Sequence, residues 1–439
     1  MPATAGPDLI IPTVGVWFPD ETGIKKWGTE DGVTAYTAAA FSCNIGDQNL
    51  PWNGFTDQHP ALVQNIYRLE NGRLDQIGAS PVKHVVATVP QDLFCSNSCN
   101  WPGSFILGVG CSDPYDADRN GQQDRLGPRS EINPTLGTVP YPFTGENISG
   151  GVLDKRIRVR NADLDPAQHA SARFFVGGQY VSEADTNAGN QYNNAAYREI
   201  QPGAFAEGGW ELLPAGDSVG ETTILDAWQT ADPGVLIAAS DTPAGGRYLL
   251  GSRATPNGDG SWHYEYALLN YNDDRAAAGF RVPAAGCAPT NIGFQSPDQD
   301  PIEGIANTPW AAQAGPDGIA WSCPPFAADP DANALRWGLL FSCRFDSACA
   351  PMDGDAAIVL FAPGTPGELP VAAVVPEPSG AGCLADLAPP AGVLDLADVQ
   401  AFVGAFVGSD PLADLVPPNG VLDLADLQAF VTAFVAGCP

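Results

Sequence analysis

Apolar residues along the chain follow two different rhythms. Toward the C-terminus Val399, Phe402, Val403, Phe406 and Val407 stand at i, i+3, i+4, i+7 and i+8, one stripe of a helix. The same wording then returns: GVLDLADVQAFVGAFV from Gly392 is followed by GVLDLADLQAFVTAFV from Gly420. A lone helix of this kind cannot bury its stripe, so the repeat predicts two helices packed on each other, each entered through a loop. Asp395 and Asp398, and their counterparts Asp423 and Asp426, fall at the helix starts. Carboxylates there cap free N–H groups and suit the helix dipole.

From about Asp8 to Ala372 the rhythm is short β-rich runs broken by Gly, Pro, Asn and Asp, in a chain with 49 Gly and 41 Pro. This predicts a mainly β protein: a large β-sandwich or barrel-like head over 1–370, as one unit or two subdomains, a Pro/Gly linker over 371–382, and a small all-α, two-helix repeat module over 383–439. The first linker residues can still belong to a last strand. LVQNIYRL and RLDQIG read as a hairpin turning at Asn71-Gly72. VKHVVATV and SWHYEYALLNY read as strands, and LDPAQHASARFF as a short helix capped by Asp165. In WHYEYALL, Trp262, Tyr264, Tyr266 and Leu268 fall on one face and His263, Glu265, Ala267 and Leu269 on the other.

Charge narrows the set of partners. With 51 acidic and 20 basic residues the net charge is −31, which disfavours nucleic acid and anionic membrane surfaces and favours cations such as Ca²⁺. The ten cysteines are even in number and lack paired CxxC spacing, so most are expected in disulfides of an oxidising compartment. No stretch approaches a membrane span. No signal peptide is visible, and MPATAGPD reads as a start set after a removed leader. The expectation is a protein that is secreted or held on the outer surface of a bacterium.

No nucleotide loop, GxSxG elbow or HExxH occurs. His59, His84 and His263 lie in or beside predicted strands, and a Zn²⁺ or Cu²⁺ site would need them to converge, with Glu265 orienting a ligand. The alternative is that each satisfies a separate hydrogen bond. His263, Glu265 and Tyr264 could equally act as acid and base. His169 is expected to face solvent. In DPYDADRNGQQD, Asp116, Asp118, Asn120 and Asp124 with Gly121 fit the alternating oxygens and sharp bend of a Ca²⁺ loop, or else an ordinary polar turn. Arg129 and Glu131 just beyond could meet sugar hydroxyls or pair with each other.

The tandem tail, with Asp386, Gly392, Asp395 and Asp398 repeated as Asp414, Gly420, Asp423 and Asp426, resembles the dockerin type, a duplicated relative of the EF-hand. The resemblance implies Ca²⁺ in the loops and a cohesin-like partner or surface attachment. DLAPPAG and DLVPPNG depart from it, placing prolines where acidic ligands belong. A metal-free pair closed by a Cys383–Cys438 disulfide is the other reading. The head, on QHPALVQNIYRLENGRLDQIGASPVKH, LGVGCSDPY, GPRSEIN and WHYEYALLNYNDDR, resembles a family of exported bacterial proteins of unassigned activity. Two functions compete: an enzyme acting on an extracellular polymer, a polysaccharide above all, and a non-catalytic extracellular binding or surface-structural protein.

Overall fold

The structure is a computed structural model that describes all residues except 1–3, 17–22, 90, 96–97, 146, 379–382, 390–392, 417–419 and 438–439. It is mainly β with a small helical C-terminal region. The head is a stack of sheets, each contact between neighbours filled by its own apolar cluster. A seven-stranded antiparallel sheet is built around Ala61–Glu70 and Arg173–Val181 and extends to Val82–His84 and Leu126–Gly127 at one edge. On one face it meets two three-stranded sheets, formed by Leu9–Val14, Ala40–Asn44 and Ser112–Tyr115 and by Ile24–Glu30, Val33–Ala38 and Ile157–Arg160. Leu9, Ile11, Tyr36, Leu62, Ile66, Phe174 and Val159 fill that space.

Its other face carries Tyr67, Leu69, Phe175 and Tyr197 against Ala267, Leu269 and Leu340 of a five-stranded sheet containing Trp262–Asn270 and Leu339–Ser347. The far side of that sheet presents Tyr264, Tyr266, Leu268 and Phe341 to a second five-stranded sheet carrying Phe280, Trp321, Ile358 and Val371. The alternation in WHYEYALL therefore separates two cores.

The hairpin turns at Asn71 and Gly72, whose φ of 51° and 78° is the left-handed geometry of a two-residue turn. The helix predicted over LDPAQHASARFF is not formed. A one-turn helix at Asn161–Leu164 is followed by a turn in which Asp165 accepts from the amide of Ala167 at 2.9 Å, and the chain then enters the Arg173–Val181 strand. The last strand of the head spans Glu368–Pro376, so the linker starts after Pro376 and not at 371.

In the tail, helices Leu396–Gly408 and Leu424–Ala436 pack through Phe402 and Phe430, stacked with ring centroids 4.2 Å apart. Both open with a capping box, Asp395 with Asp398 and Asp423 with Asp426. Disulfides join Cys43 to Cys95, Cys99 to Cys111 and Cys287 to Cys349, while Cys323 and Cys343 are free. Cys383 is disulfide-bonded; Cys438, its predicted partner, lies outside the described residues. No helix among the described residues is long and apolar enough to cross a membrane, which says nothing of a β-barrel.

Candidate functional site

Of the sequence-derived candidates, His59 and His84 come together and His263 stands apart. His59 Nδ1 lies 2.7 Å from the carbonyl of Thr56 and must donate to it, so its Nε2 accepts from His84 Nδ1 at 2.9 Å. His84 Nε2 faces Glu131 Oε1 at 3.3 Å, and Phe143 stacks on the His84 ring at 4.1 Å. Burial, then the neighbouring His84, holds His59 down to about 4. Burial pushes Glu131 up, but hydrogen bonds from His84 and Thr144 outweigh it and leave the carboxyl below its usual range.

The three-histidine metal centre does not assemble. His84 pairs with Ala61, the first residue of a ten-residue strand, whereas Arg73, which holds Glu265, pairs with Glu70, the last. That strand separates the two sites by roughly 30 Å at about 3.3 Å per residue. The lone pair His59 Nε2 would offer a metal is taken by His84. Among the described residues no group of three or more His, Cys, Asp or Glu side chains is arranged to hold a metal ion.

The acid–base trio His263, Glu265 and Tyr264 is corrected as well. Tyr264 points into the opposite core, where its hydroxyl donates to the carbonyl of Cys349 at 2.9 Å. His263 bonds Asp346 Oδ1 through Nδ1 and Glu265 Oε1 through Nε2, the latter at 2.7 Å, and Arg73 holds the same Glu265 oxygen at 2.7 Å. An imidazole between two carboxylates donates from both nitrogens. It bridges two neighbouring strands of the five-stranded sheet with no lone pair left for a base, and the Arg73–Glu265 pair makes the charged link to the seven-stranded sheet.

The predicted Ca²⁺ loop is a helix, Ala117–Gln122. Asp116 caps it by accepting from the Arg119 amide at 2.6 Å, Asp118 pairs with Lys25, and Asn120 is buried against Lys83. Asp124 accepts from the Ile148 amide through its backbone carbonyl. Asp118 and Asn120 stand on the helix, with Asp116 capping it and Asp124 beyond its end, and they are not arranged as a metal-holding group. Trp27 packs over Gly121, where a Cβ would come within 2.2 Å of the indole, and this fixes the glycine.

In the tail Asp398 accepts from the amides of Leu387, Ala388 and Asp395 at 2.7, 2.8 and 2.9 Å. Asp426 does the same with Leu415, Val416 and Asp423. Asp395 and Asp423 cap, and Asp414 accepts from Gly420. Apart from Asp414 Oδ1, which is buried with no partner among the described residues, these carboxylates accept from N–H donors and are not grouped as the oxygen cage Ca²⁺ takes. Asp386, beside the buried Ala385, belongs to the same loop. His169 is half-buried between Glu70 and Arg68 rather than free in solvent. Arg129 pairs with Glu303, and not with Glu131.

The site the structure does build was not singled out by its chemistry in the sequence. A cavity of about 350 Å³ is walled by Trp52, Asp113, Tyr115 and Tyr180, with Arg119, Gln123, Asp124 and Arg125 around it. Ser112–Tyr115 is an edge strand of its sheet, which is why Pro114 is tolerated, and strand alternation sends Asp113 and Tyr115 the same way. Asp113 accepts from the Val89 amide at 2.6 Å. Burial pushes its carboxyl up to about 7, against the opposing pull of that amide and of Arg119. The Tyr115 hydroxyl donates to Gln123, which donates onward to the His84 carbonyl at 2.6 Å. The Trp52 indole N–H is buried with no partner among the described residues. The Cys43–Cys95 and Cys99–Cys111 disulfides anchor the loop beside the cavity. SDPY offered one usable signal, an acid and a tyrosine two apart in a short strand after a cysteine.

Each of two larger grooves holds an ion pair across its lining. Arg281 meets Glu368 in one of about 590 Å³, and Arg160 meets Asp298 in one of about 870 Å³. Compared with known protein families and with curated proteins, the chain matches none.

Proposed function

We propose that this is an exported modular protein whose β head cleaves an extracellular polysaccharide at the Asp113 cavity and whose helical tail attaches it to a surface partner. The observation that carries this reading is a buried carboxyl held near neutrality in a cavity walled by three aromatic rings and an unpartnered indole N–H. A carboxylic acid still protonated at neutral pH can give its proton to a glycosidic oxygen, and Asp124 supplies a second carboxylate in the same lining. Aromatic faces take the apolar faces of sugar rings, while the unpartnered indole N–H is a donor for a hydroxyl.

A polymer is favoured over a small ligand because aromatic surface continues outside the cavity. Arg125 lies 5.3 Å over the exposed Phe55, which meets the exposed Phe105 at 6.0 Å, and Trp101 stands exposed on the same disulfide-closed loop. Export is supported by the three disulfides of the head. Attachment through the tail is supported by exposed apolar residues repeated in register on both helices. Leu396 and Leu424 are 68% and 64% exposed, and Val407 and Val435 are both 81% exposed.

The test is Asp113→Asn, assayed against a panel of soluble polysaccharides. Wild-type turnover should fall as pH rises through about 7, where the carboxyl loses its proton. The variant should keep binding and lose at least about 100-fold in rate. Saturable binding without turnover in the wild type would replace the enzyme with a polysaccharide-binding module. No binding to any glycan, with the fold intact, would overturn both.

A further inference from the structure

Lys83 is one of four lysines in the chain and is only 1% exposed. No carboxylate lies within ion-pair range of it among the described residues. Its Nζ donates instead to two oxygens of one residue, the backbone carbonyl of Asn120 at 2.5 Å and the side-chain Oδ1. Asn120 is itself fully buried in the Ala117–Gln122 helix. Its Nδ2 donates to the Ala38 carbonyl at 2.9 Å and to Gln64 Oε1 at 2.8 Å. With acceptors on one end of the amide and a donor on the other, the group cannot flip, and its carbonyl is held toward the amine. Burial, with Arg156 adding to it, drives the Lys83 amine well below its usual range, which favours the neutral, nucleophilic form.

We propose that Lys83 and Asn120 become joined by an intramolecular isopeptide bond. Nζ attacks Cγ of Asn120, the Nζ–Cγ bond forms and the Cγ–Nδ2 bond breaks. One proton passes from Nζ to Nδ2, and ammonia leaves with the electron pair of the broken bond. No oxidant or co-reactant is consumed. The carbonyl carbon lies about 1.23 Å behind the oxygen the amine touches, so the pair stands close to the roughly 3–3.5 Å of a near-attack geometry. Aminolysis of an amide is slow between free molecules. Two groups fixed in contact gain an effective concentration of about 10⁵–10⁸ M, and this burial excludes competing water. The link would tie the strand that carries His84 to the helix whose Arg119 and Gln122 line the cavity, fixing one wall of the site.

Mass spectrometry of the reduced, denatured full chain tests this without any variant. The expected result is a mass lower than the sequence mass by one ammonia. Trypsin should then leave the chain uncut after Lys83, giving a branched product that joins Leu74–Arg119 to Asn120–Arg125. Lys83→Met should restore the full ammonia count. Free Leu74–Lys83 peptide together with Asn120–Arg125, whether Asn120 is intact or closed to a succinimide on Gly121, would overturn the proposal, since a succinimide loses ammonia but makes no branch.

Discussion

His263 is the residue whose setting most clearly predicts a behaviour. The hydrogen bond to Glu265 raises its affinity for a proton, burial opposes this, and the bond to Asp346 adds to the rise. A group whose folded pKa is raised contributes stability that is complete below its unfolded value, about 6.5, and lost as pH rises through the folded one. Denaturant melts between pH 5 and 9 should therefore show stability declining on the alkaline side. His263→Gln should flatten that decline, since an amide keeps hydrogen bonds but cannot release a charge; an unchanged slope would place the titration elsewhere. The face on which His263 and Glu265 stand was legible in the sequence, because strand alternation needs only neighbours. Their partners were not. Arg73 and Asp346 are 192 and 83 positions from the residues they hold, and nothing local announces such pairing. Asp113 was hidden for the same reason: its chemistry is set by the burial that distant strands impose, and not by the residues beside it.

At the scale of elements the tail was the most readable part, since helical periodicity and a repeat are local signals. The run DADRNG was not, because an Asp followed by alternating polar residues serves a helix cap and a Ca²⁺ loop equally well. Trp27, far away in sequence, decides it by packing on Gly121. The two tail loops depend on carboxylates in the reverse sense to His263. Burial raises Asp398, but its three backbone donors outweigh this and leave it below the usual range, and Asp426 is lowered chiefly by the amide of Asp423. Such groups contribute stability present above about 4 and lost as pH falls through the folded value. Limited proteolysis of the full chain should therefore begin in the tail as pH drops below that range. Asp398→Asn with Asp426→Asn should expose the tail to cleavage already at neutral pH while the disulfide-bonded head stays whole. A double variant as resistant as the wild type would mean that helix packing through Phe402 and Phe430 suffices alone.

The whole head depends on sheets from distant parts of the chain staying stacked, and one ion pair joins them where no water reaches. Arg129 and Glu303 have fully buried side chains 2.7 Å apart; the Arg129 amide also donates to Glu303 at 2.8 Å, and its Nε donates to the Trp337 carbonyl at 3.1 Å. Trp337 returns the contact through its indole N–H to the Arg129 carbonyl at 2.9 Å. Three segments, around 129, 303 and 337, thus close on one another beside the seven-stranded sheet. Desolvating both charges costs much of what their attraction returns, so the pair itself adds little, but removing one member strands the other without water. Burial raises Glu303 and the Arg129 charge lowers it, consistent with a carboxyl that needs its partner to remain ionised. Glu303→Ala should then lower the unfolding free energy by about 3–5 kcal/mol. Arg129→Met combined with Glu303→Leu should recover most of that loss, because no charge is left uncompensated. Equal losses in the single and double variants, read from chemical denaturation at one pH and salt concentration, would instead assign the junction's stability to the hydrogen bonds of Trp337 and to the fit of the side chains around it.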